Sequence, residues 1–435
     1  MISKATIQKI YDEARIEEVV GDFVNLKKRG SNMIGLCPFH NEKTPSFAVS
    51  PARNIYKCFG CGKGGDPVNF VMEHEHYTYP EALRYVARKY HIEIEETVQT
   101  PEDKLADDAR ENLYAANAFA QKFFTAQLTD TEEGRAIGRS YFIERGFTND
   151  TIEKFQLGYA PAQRDAFTKF AIENQFKTDV LEKAGLTIIK ASEAGDVHTE
   201  KYYDRFWGRV IFPIHNLTGR VIGFGGRILK TDAHAAKYIN SPETDIYIKS
   251  KILYGIYHAK KSIIQHDECY LCEGYTDVIS MHQAGMENAV ASSGTSLTVE
   301  QIKLIKRYTN NITVLYDGDP AGIKASLRGI DMILEEGMNV RVVLFPDGDD
   351  PDSYSKKVSS SAFSDFLKKN AKDFIVFKTS LLLSDVANDP IGKSKLVREI
   401  VETIAKVPDA ITRSTYLKHC STLLDTDEQI LINEV

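Results

Sequence analysis

The sequence predicts a multidomain chain of mixed α+β and α/β architecture, and three observations carry that prediction. Its 435 residues exceed what one hydrophobic core ordinarily serves. Two short pairs of sulfur and imidazole ligands stand within the first 61 residues, ahead of a polar acidic stretch. From about Cys269 onward, continuous apolar runs alternate with amphipathic ones, the pattern of a parallel sheet covered on both faces.

The first unit is placed at residues 1–96. It opens on a charged amphipathic segment, MISKATIQKIYDEARIEEVV, which has no apolar core of the kind a secretory signal needs. It closes on YPEALRYVARKYHI, where Leu83, Val86, Ala87 and Tyr90 recur at helical spacing after Pro80. Between them, Cys37, His40, Cys58 and Cys61 give the spacing C-x2-H-x17-C-x2-C. Each pair sets two soft ligands on one tight knuckle, and two knuckles close a tetrahedron around one structural Zn²⁺ at roughly 2.0–2.3 Å. Seven basic residues against one acidic, Glu42, lie between Lys27 and Lys63. Lys43, Phe47, Arg53, Tyr56, Lys57, Phe59 and Lys63 interleave cations with rings, which suits phosphates and stacked bases of a single strand. A small domain also needs aromatics for its core, so which rings face solvent is left open.

Residues 97–111 read as a polar, acidic linker running into a solvated helix. A mixed α/β unit follows over 112–250. Its clearest feature is RVIFPIHNLTGRVIGFGGRIL, two apolar runs joined by a turn containing Gly219. Eleven basic residues against four acidic lie between Lys201 and Lys261. Strands and helices then alternate over 251–360, and residues 361–435 carry helical patterns alone. A further CxxC, Cys269 and Cys272, lies in an apolar strand where positions i and i+3 face opposite ways, so both read as core thiols.

Three acidic motifs close successive predicted strands: Glu273 in CEGYTDV, Asp317 and Asp319 in YDGDPAG, and Asp350 and Asp352 in GDDPDS. Functional groups of parallel sheets gather beyond the carboxyl ends of strands. Five carboxylates there repel one another unless cations neutralise them. Hard divalent ions such as Mg²⁺ or Mn²⁺, one to three of them, fit an all-oxygen site and keep positions for phosphate oxygens. The overall net charge of −7 therefore hides basic stretches beside an acidic pole, with nine acidic residues against three basic from Asp317 to Asp352. On the residues alone, the acidic cluster supports divalent-metal phosphoryl chemistry and no more. Asp349 adjoins Asp350 and competes for its place.

Taken together, CPFH…CFGCG, RVIFPIHNLTGRVIGFGGR, KYINSPET, LYG, EGYTDV, DGDPAG and DDPD closely resemble the bacterial replicative DNA primase family (DnaG), from the first helix to about residue 360. The resemblance implies a zinc-ribbon-like domain, a basic subdomain, a TOPRIM parallel-sheet subdomain and a helical subdomain. It implies template-directed synthesis of short RNA from NTPs on single-stranded DNA, with Cys37, His40, Cys58 and Cys61 on zinc. Glu273, Asp317, Asp319, Asp350 and Asp352 would hold Mg²⁺, the first three being catalytic. Arg145, Arg205, Arg209, Arg227, Lys237 and Lys249 would form a ridge for nucleotide or template phosphates. Topoisomerases and nucleases share the acidic fold, but a type IA topoisomerase needs a large gate domain for its tyrosine. A non-enzymatic zinc regulator would not need five acids. The reading further expects a cytoplasmic monomer at the replication fork with no membrane partner, its tether leaving action in trans open. Because the chain stops at ILINEV, the family's helicase-docking domain is expected to lie outside these residues.

Overall fold

The structure, a computed structural model, describes residues 2–95, 101–190, 201–229, 236–294, 296–316, 329–346, 348–385 and 389–435. Two compact units divide it, Met1–Asp107 and Asp108–Val435. No helix among the described residues is long and apolar enough to cross a membrane.

The first unit is an antiparallel meander of five short strands: β1 (Lys27–Arg29), β2 (Asn32–Gly35), β3 (Phe47–Ser50), β4 (Ile55–Cys58) and β5 (Gly64–Gly65). Helices Lys4–Glu13, Ile16–Gly21, Pro67–Glu75 and Tyr79–Lys89 flank it. Local chemistry fixes the helix starts. Asp66 caps Pro67–Glu75 by accepting from the Asn69 N–H at 2.8 Å, and Thr78 and Glu81 close a capping box before Tyr79–Lys89. Leu83, Val86 and Ala87 are buried as their spacing predicts.

Two of the expected template-reading rings fall in the core instead. The register pairs Phe47 with Cys58 and Val49 with Tyr56, so all four side chains share one sheet face. The flanking helices cover that face, and Phe47 and Tyr56 stack at 5.3 Å with Phe70 edge-on to Tyr56. Both are fully buried. The opposite face keeps Lys27, Ile34, Ala48 and Lys57 in one row across four strands, with both lysines exposed. Phe59, just past β4, is 77% exposed.

The stretch expected over 97–111 as a linker running into a helix overlaps a long helix. A helix begins at Pro101 and runs unbroken to Asp130. Proline suits a first helical position, where its missing N–H has no intrahelical partner to lose.

In the second unit, strands β6 (Gly158–Ala160), β9 (Arg209–His215), β10 (Val221–Ile228) and β11 (Tyr238–Asn240) form an antiparallel sheet in the order β11-β10-β9-β6. β7 (Thr187–Lys190) and β8 (Lys201–Asp204) make a separate ribbon. The expected hairpin joins β9 to β10, with Gly219 at φ +84° in its turn. A second sheet runs β13-β12-β14-β15-β16, built from β12 (Cys269–Cys272), β13 (Ala289–Ala291), β14 (Asn311–Tyr316), β15 (Asn339–Leu344) and the edge strand β16 (Lys372–Asp373). Its first four strands are parallel and β16 is antiparallel.

Both sheet faces are covered, as the unbroken apolar strands require. Cys269 and Leu271 enter one core with helices Ile256–His266, Val299–Lys306 and the C-terminal helices. Tyr270 and Cys272 enter the other, which is continuous with the antiparallel sheet through Val210, Phe212 and Ile214. The two cysteines are thus buried on opposite faces of β12. The C-terminal helices Phe374–Asp385, Pro390–Ala405, Ala410–Leu424 and Glu428–Glu434 bury Phe374, Ile400 and Leu417 against the parallel sheet. They share its core rather than making one of their own.

Candidate functional site

The zinc donors are assembled by the two knuckles. The ligand atoms of Cys37, His40, Cys58 and Cys61 all lie within 4.8 Å of one another. Cys37 Sγ stands 3.8 Å from Cys61 Sγ, and Cys58 Sγ stands 3.8 Å from His40 Nδ1. Ligands ~2.3 Å from a tetrahedral centre are about 3.8 Å apart, so the set fits Zn²⁺. Backbone N–H groups of Gly60 and Cys61 point at Cys58 Sγ at 3.3 and 3.4 Å. Burial opposes the thiolate of Cys58, yet the Ser46 hydroxyl and these N–H groups outweigh it and hold its pKa below the ordinary thiol value. Gly60 must lack a side chain, since a Cβ there would sit 2.7 Å from His40 Nε2.

Glu42, the lone acid of the basic stretch, supports this centre. Its carboxylate accepts from the N–H groups of Cys37 and Ser46 at 2.8 and 2.9 Å and faces His40 Nε2 at 3.2 Å. With Nδ1 turned to the cysteines, Glu42 fixes the imidazole's tautomer and tilt. Sequence reasoning missed it, although one carboxylate among seven cations was the available signal.

Around the centre, Lys43, Arg53 and Lys57 are exposed. Lys63 lies over the Phe39 ring and pairs with Glu73 at 2.8 Å.

The second candidate site is a cleft beyond the carboxyl ends of the parallel strands. The order β13-β12-β14 reverses direction at β12, which opens a crevice between β12 and β14. Glu273 follows β12 directly and lines this cleft, as do Asp350, Arg145, Lys237, Tyr238 and Asn240. Partial burial raises the Glu273 carboxyl, and no side-chain partner neutralises it among the described residues. Asp317 and Asp319 follow β14 in sequence and lie outside the described residues. Asp350 caps the helix Pro351–Ser355, its Oδ1 accepting from the Ser353 N–H at 2.6 Å.

The remaining acids are committed elsewhere. Asp352, expected as a metal ligand, is buried, ion-paired to Arg145 and to Lys356 at 2.8 Å, and accepts from the Ser280 hydroxyl at 2.5 Å. Asp349 binds Lys357 at 2.6 Å and the Ser353 hydroxyl at 2.9 Å, and the lysine holds its pKa below the usual carboxylate range.

The expected basic ridge divides in the same way. Arg227 lies near the Tyr141 and Tyr238 rings at 4.8 and 5.7 Å, its buried Nε and Nη1 without a hydrogen-bond partner among the described residues. Lys237 is exposed at the cleft wall. Arg205 is half-buried, and burial lowers its pKa. Arg209 departs from expectation: it is buried, and its Nη1 donates to the Ala236 carbonyl at 3.2 Å and the Gly226 carbonyl at 3.4 Å. Through Nη1 it ties β9 to β10 and to the stretch before β11. Lys249 sits in a short 3-10 turn, Lys249–Lys251, and does not line the cleft. Sequence reasoning also missed Asn240, which Tyr275 fixes by donating its hydroxyl proton at 2.7 Å. Asn240 in turn donates to the Ser293 carbonyl at 3.0 Å.

Comparison with known proteins follows these boundaries. Residues 2–102 match the CHC2 zinc finger family, 123–260 the DNA primase catalytic core N-terminal domain, and 270–355 the Toprim-like family. Residues 377–429 match the DnaB-helicase binding domain of primase. That match overturns the expectation that such a domain lies outside the chain: it coincides with the C-terminal helices. A DNA primase of Halalkalibacterium halodurans is 40% identical over 96% of this chain and 68% of its own. The Aquifex aeolicus primase structure, comprising zinc-binding and RNA polymerase domains, aligns over 99% of each chain at 31% identity with a TM-score of 0.64. The E. coli primase catalytic core aligns over 72% of this chain and 98% of its own at 34% identity, with a TM-score of 0.63.

Proposed function

The chain belongs to the bacterial DnaG-type DNA primases, and from that premise we infer how its residues divide the work of starting an RNA strand. It is a DNA-directed RNA polymerase that makes short primers from NTPs on single-stranded DNA for replication. One observation supports placing the chemistry: Glu273, raised by burial and without a partner among the described residues, opens onto the same cleft as Asp350, Arg145 and Lys237.

Glu273, Asp317, Asp319 and Asp350 hold the divalent cations, Mg²⁺ or Mn²⁺. Bound there, the cations supply activation of the attacking hydroxyl and neutralisation of the leaving pyrophosphate. Asp352 acts at one remove by holding Arg145 at the cleft wall. Arg145, Lys237 and Arg227 take nucleotide or template phosphates. Asn240, locked by Tyr275, sits beside them as a fixed amide for polar contact.

In the first unit, one zinc holds the knuckles, and the open sheet face carrying Lys27, Lys57 and Phe59 takes template phosphates and a base. Initiation must hold two free nucleotides at once, which is entropically costly, so a second template-binding module lowers that cost. The C-terminal helices dock a replicative helicase, and the enzyme works in the cytoplasm at the fork.

The test is incubation with a single-stranded template, labelled ribonucleotides and Mg²⁺, with Asp317→Ala alongside. Short RNA from the unaltered chain and none from the variant is expected. Equal product from both would refute the assignment of the acids.

A further inference from the structure

Arg145, which lines the cleft, stands on a turn that its own stretch of chain already closes. The Gly146 N–H donates to the Ile143 carbonyl at 2.8 Å and the Phe147 N–H to the Phe142 carbonyl at 2.9 Å, with Gly146 at φ +84°. This is a glycine-terminated helix end, and buried Phe147 stacks on Phe142 beneath it. Thr148 then caps the helix Asn149–Lys154 by accepting from the Thr151 N–H at 3.2 Å. Local bonds therefore suffice to form the turn.

A distant element nonetheless grips it. Gln283, the last residue of the helix Tyr275–Gln283, lies 137 positions along the chain from Gly146. Its Nε2 donates to the Gly146 carbonyl at 2.8 Å, and its Oε1 accepts from the Thr148 N–H at 2.9 Å. One planar amide thus holds the turn at two points. The side chain is exposed, and water would satisfy the same backbone groups, so the pair adds little to stability. What it adds is position. The helix that carries Gln283 begins directly after Glu273 and Gly274. Its Ser280 donates to the Asp352 carboxylate at 2.5 Å, and Asp352 is the ion-pair partner of Arg145. Gln283 therefore sets the backbone beside Arg145 and Asp352 sets its guanidinium, both from the helix that follows Glu273. The Lys154–Glu287 pair, at 2.6 Å, joins the same segments, but two long side chains in water hold a position loosely.

We propose that Gln283 is a positioning residue for primer synthesis: its amide sets the Arg145 turn in register with the helix that follows Glu273, so that the guanidinium meets its phosphate. The proposal rests on the primase reading, in which Arg145 takes a nucleotide or template phosphate. A displacement of about 1 Å at such a contact can cost up to about 100-fold in rate, whereas losing an exposed hydrogen bond hardly changes stability. The test is a double-mutant cycle on the full chain. It reads kcat/KM for NTP incorporation on a pre-annealed RNA primer, with template below saturation so that a template contact registers too. Gln283→Ala should lower kcat/KM about tenfold and move the melting temperature by less than about two degrees. Gln283→Met, which keeps the length and helix preference but makes neither hydrogen bond, should match it. Arg145→Ala should lose at least as much, and adding Gln283→Ala to it should cost no more than about twofold further. An unchanged kcat/KM in both Gln283 variants, or losses that multiply in the double variant, would overturn the positioning role and leave the primase reading intact. An unchanged kcat/KM in Arg145→Ala would remove Arg145 from the phosphate contacts, and the proposal with it. No extension by the unaltered chain would overturn the primase reading as well.

Discussion

The four zinc donors come from two knuckles whose ligands stand three residues apart, whereas the cleft draws Glu273 from the end of β12 and Asp350 from beyond β15. The first site is organised by local turns and sulfur-directed N–H groups around an ion. The second is organised by a sheet whose two cores fill without any ion. The zinc site should therefore belong to the folding of its unit, and the cations proposed for the cleft only to its chemistry. Metal removal should separate the two.

Chelation, or Cys61→Ala, should have the largest effect. A structural zinc contributes on the order of 10 kcal/mol, so calorimetry should show the transition of the first unit lost and that of the second unmoved. Elemental analysis should show zinc absent. Loss of both transitions would mean that the second unit depends on the metal too.

Asp352→Ala sharpens the contrast within the cleft. It strips Arg145 and Lys356 of their shared carboxylate and leaves Ser280 without its acceptor. A broken buried pair costs about 3 kcal/mol, so the melting temperature of the second unit should fall by several degrees. A variant as stable as the parent, with its metal affinity lost, would instead make Asp352 a ligand.

Glu42→Gln carries the contrast to the support around the zinc. Loss of a carboxylate partner to a ligating histidine should weaken zinc by about 10–100-fold, read by competition with a chromophoric chelator. An unchanged affinity would leave Glu42 as a turn former only.

A smaller, pH-dependent difference should also distinguish the units. His215, His258 and His282 belong to the second, where burial lowers their pKa to about 4, 3 and 4. Their folded values lie below the unfolded one of 6.5, so the stability they contribute is present above pH 6.5 and fades as pH falls toward 4. His282→Asn should flatten that decline in denaturant melts by about 2 kcal/mol at pH 5. A parallel decline in parent and variant would exclude His282 as a contributor.

The same contrast explains what could be read from residues alone. The zinc quartet was legible because its ligands sit at fixed short spacings with glycines between them. Glu273 and Asp350 were legible because acids closing apolar runs mark strand ends. The burial of Asp352 was not, because its partner Arg145 lies 207 residues away. Phe47, Tyr56 and Phe59 look equivalent in sequence, and only the pairing of Phe47 with Cys58 decides which rings turn inward. Arg209 reads like its neighbours until the Ala236 carbonyl is brought to it. Local spacing carries the ligands, and long-range register carries which side chains remain free to act.

The central claim, that the cleft performs phosphoryl transfer while the zinc unit serves initiation, is tested most directly by one paired assay. Primer synthesis on bare template and extension of a pre-annealed RNA primer are measured for the parent chain, Glu273→Gln and Cys61→Ala. Glu273→Gln should lose both reactions by at least about 100-fold, since several kcal/mol of charge stabilisation go with the ligand. Cys61→Ala should lose synthesis on bare template and keep most of the extension. Extension that survives in Glu273→Gln, or that falls equally in Cys61→Ala, would contradict the division of labour.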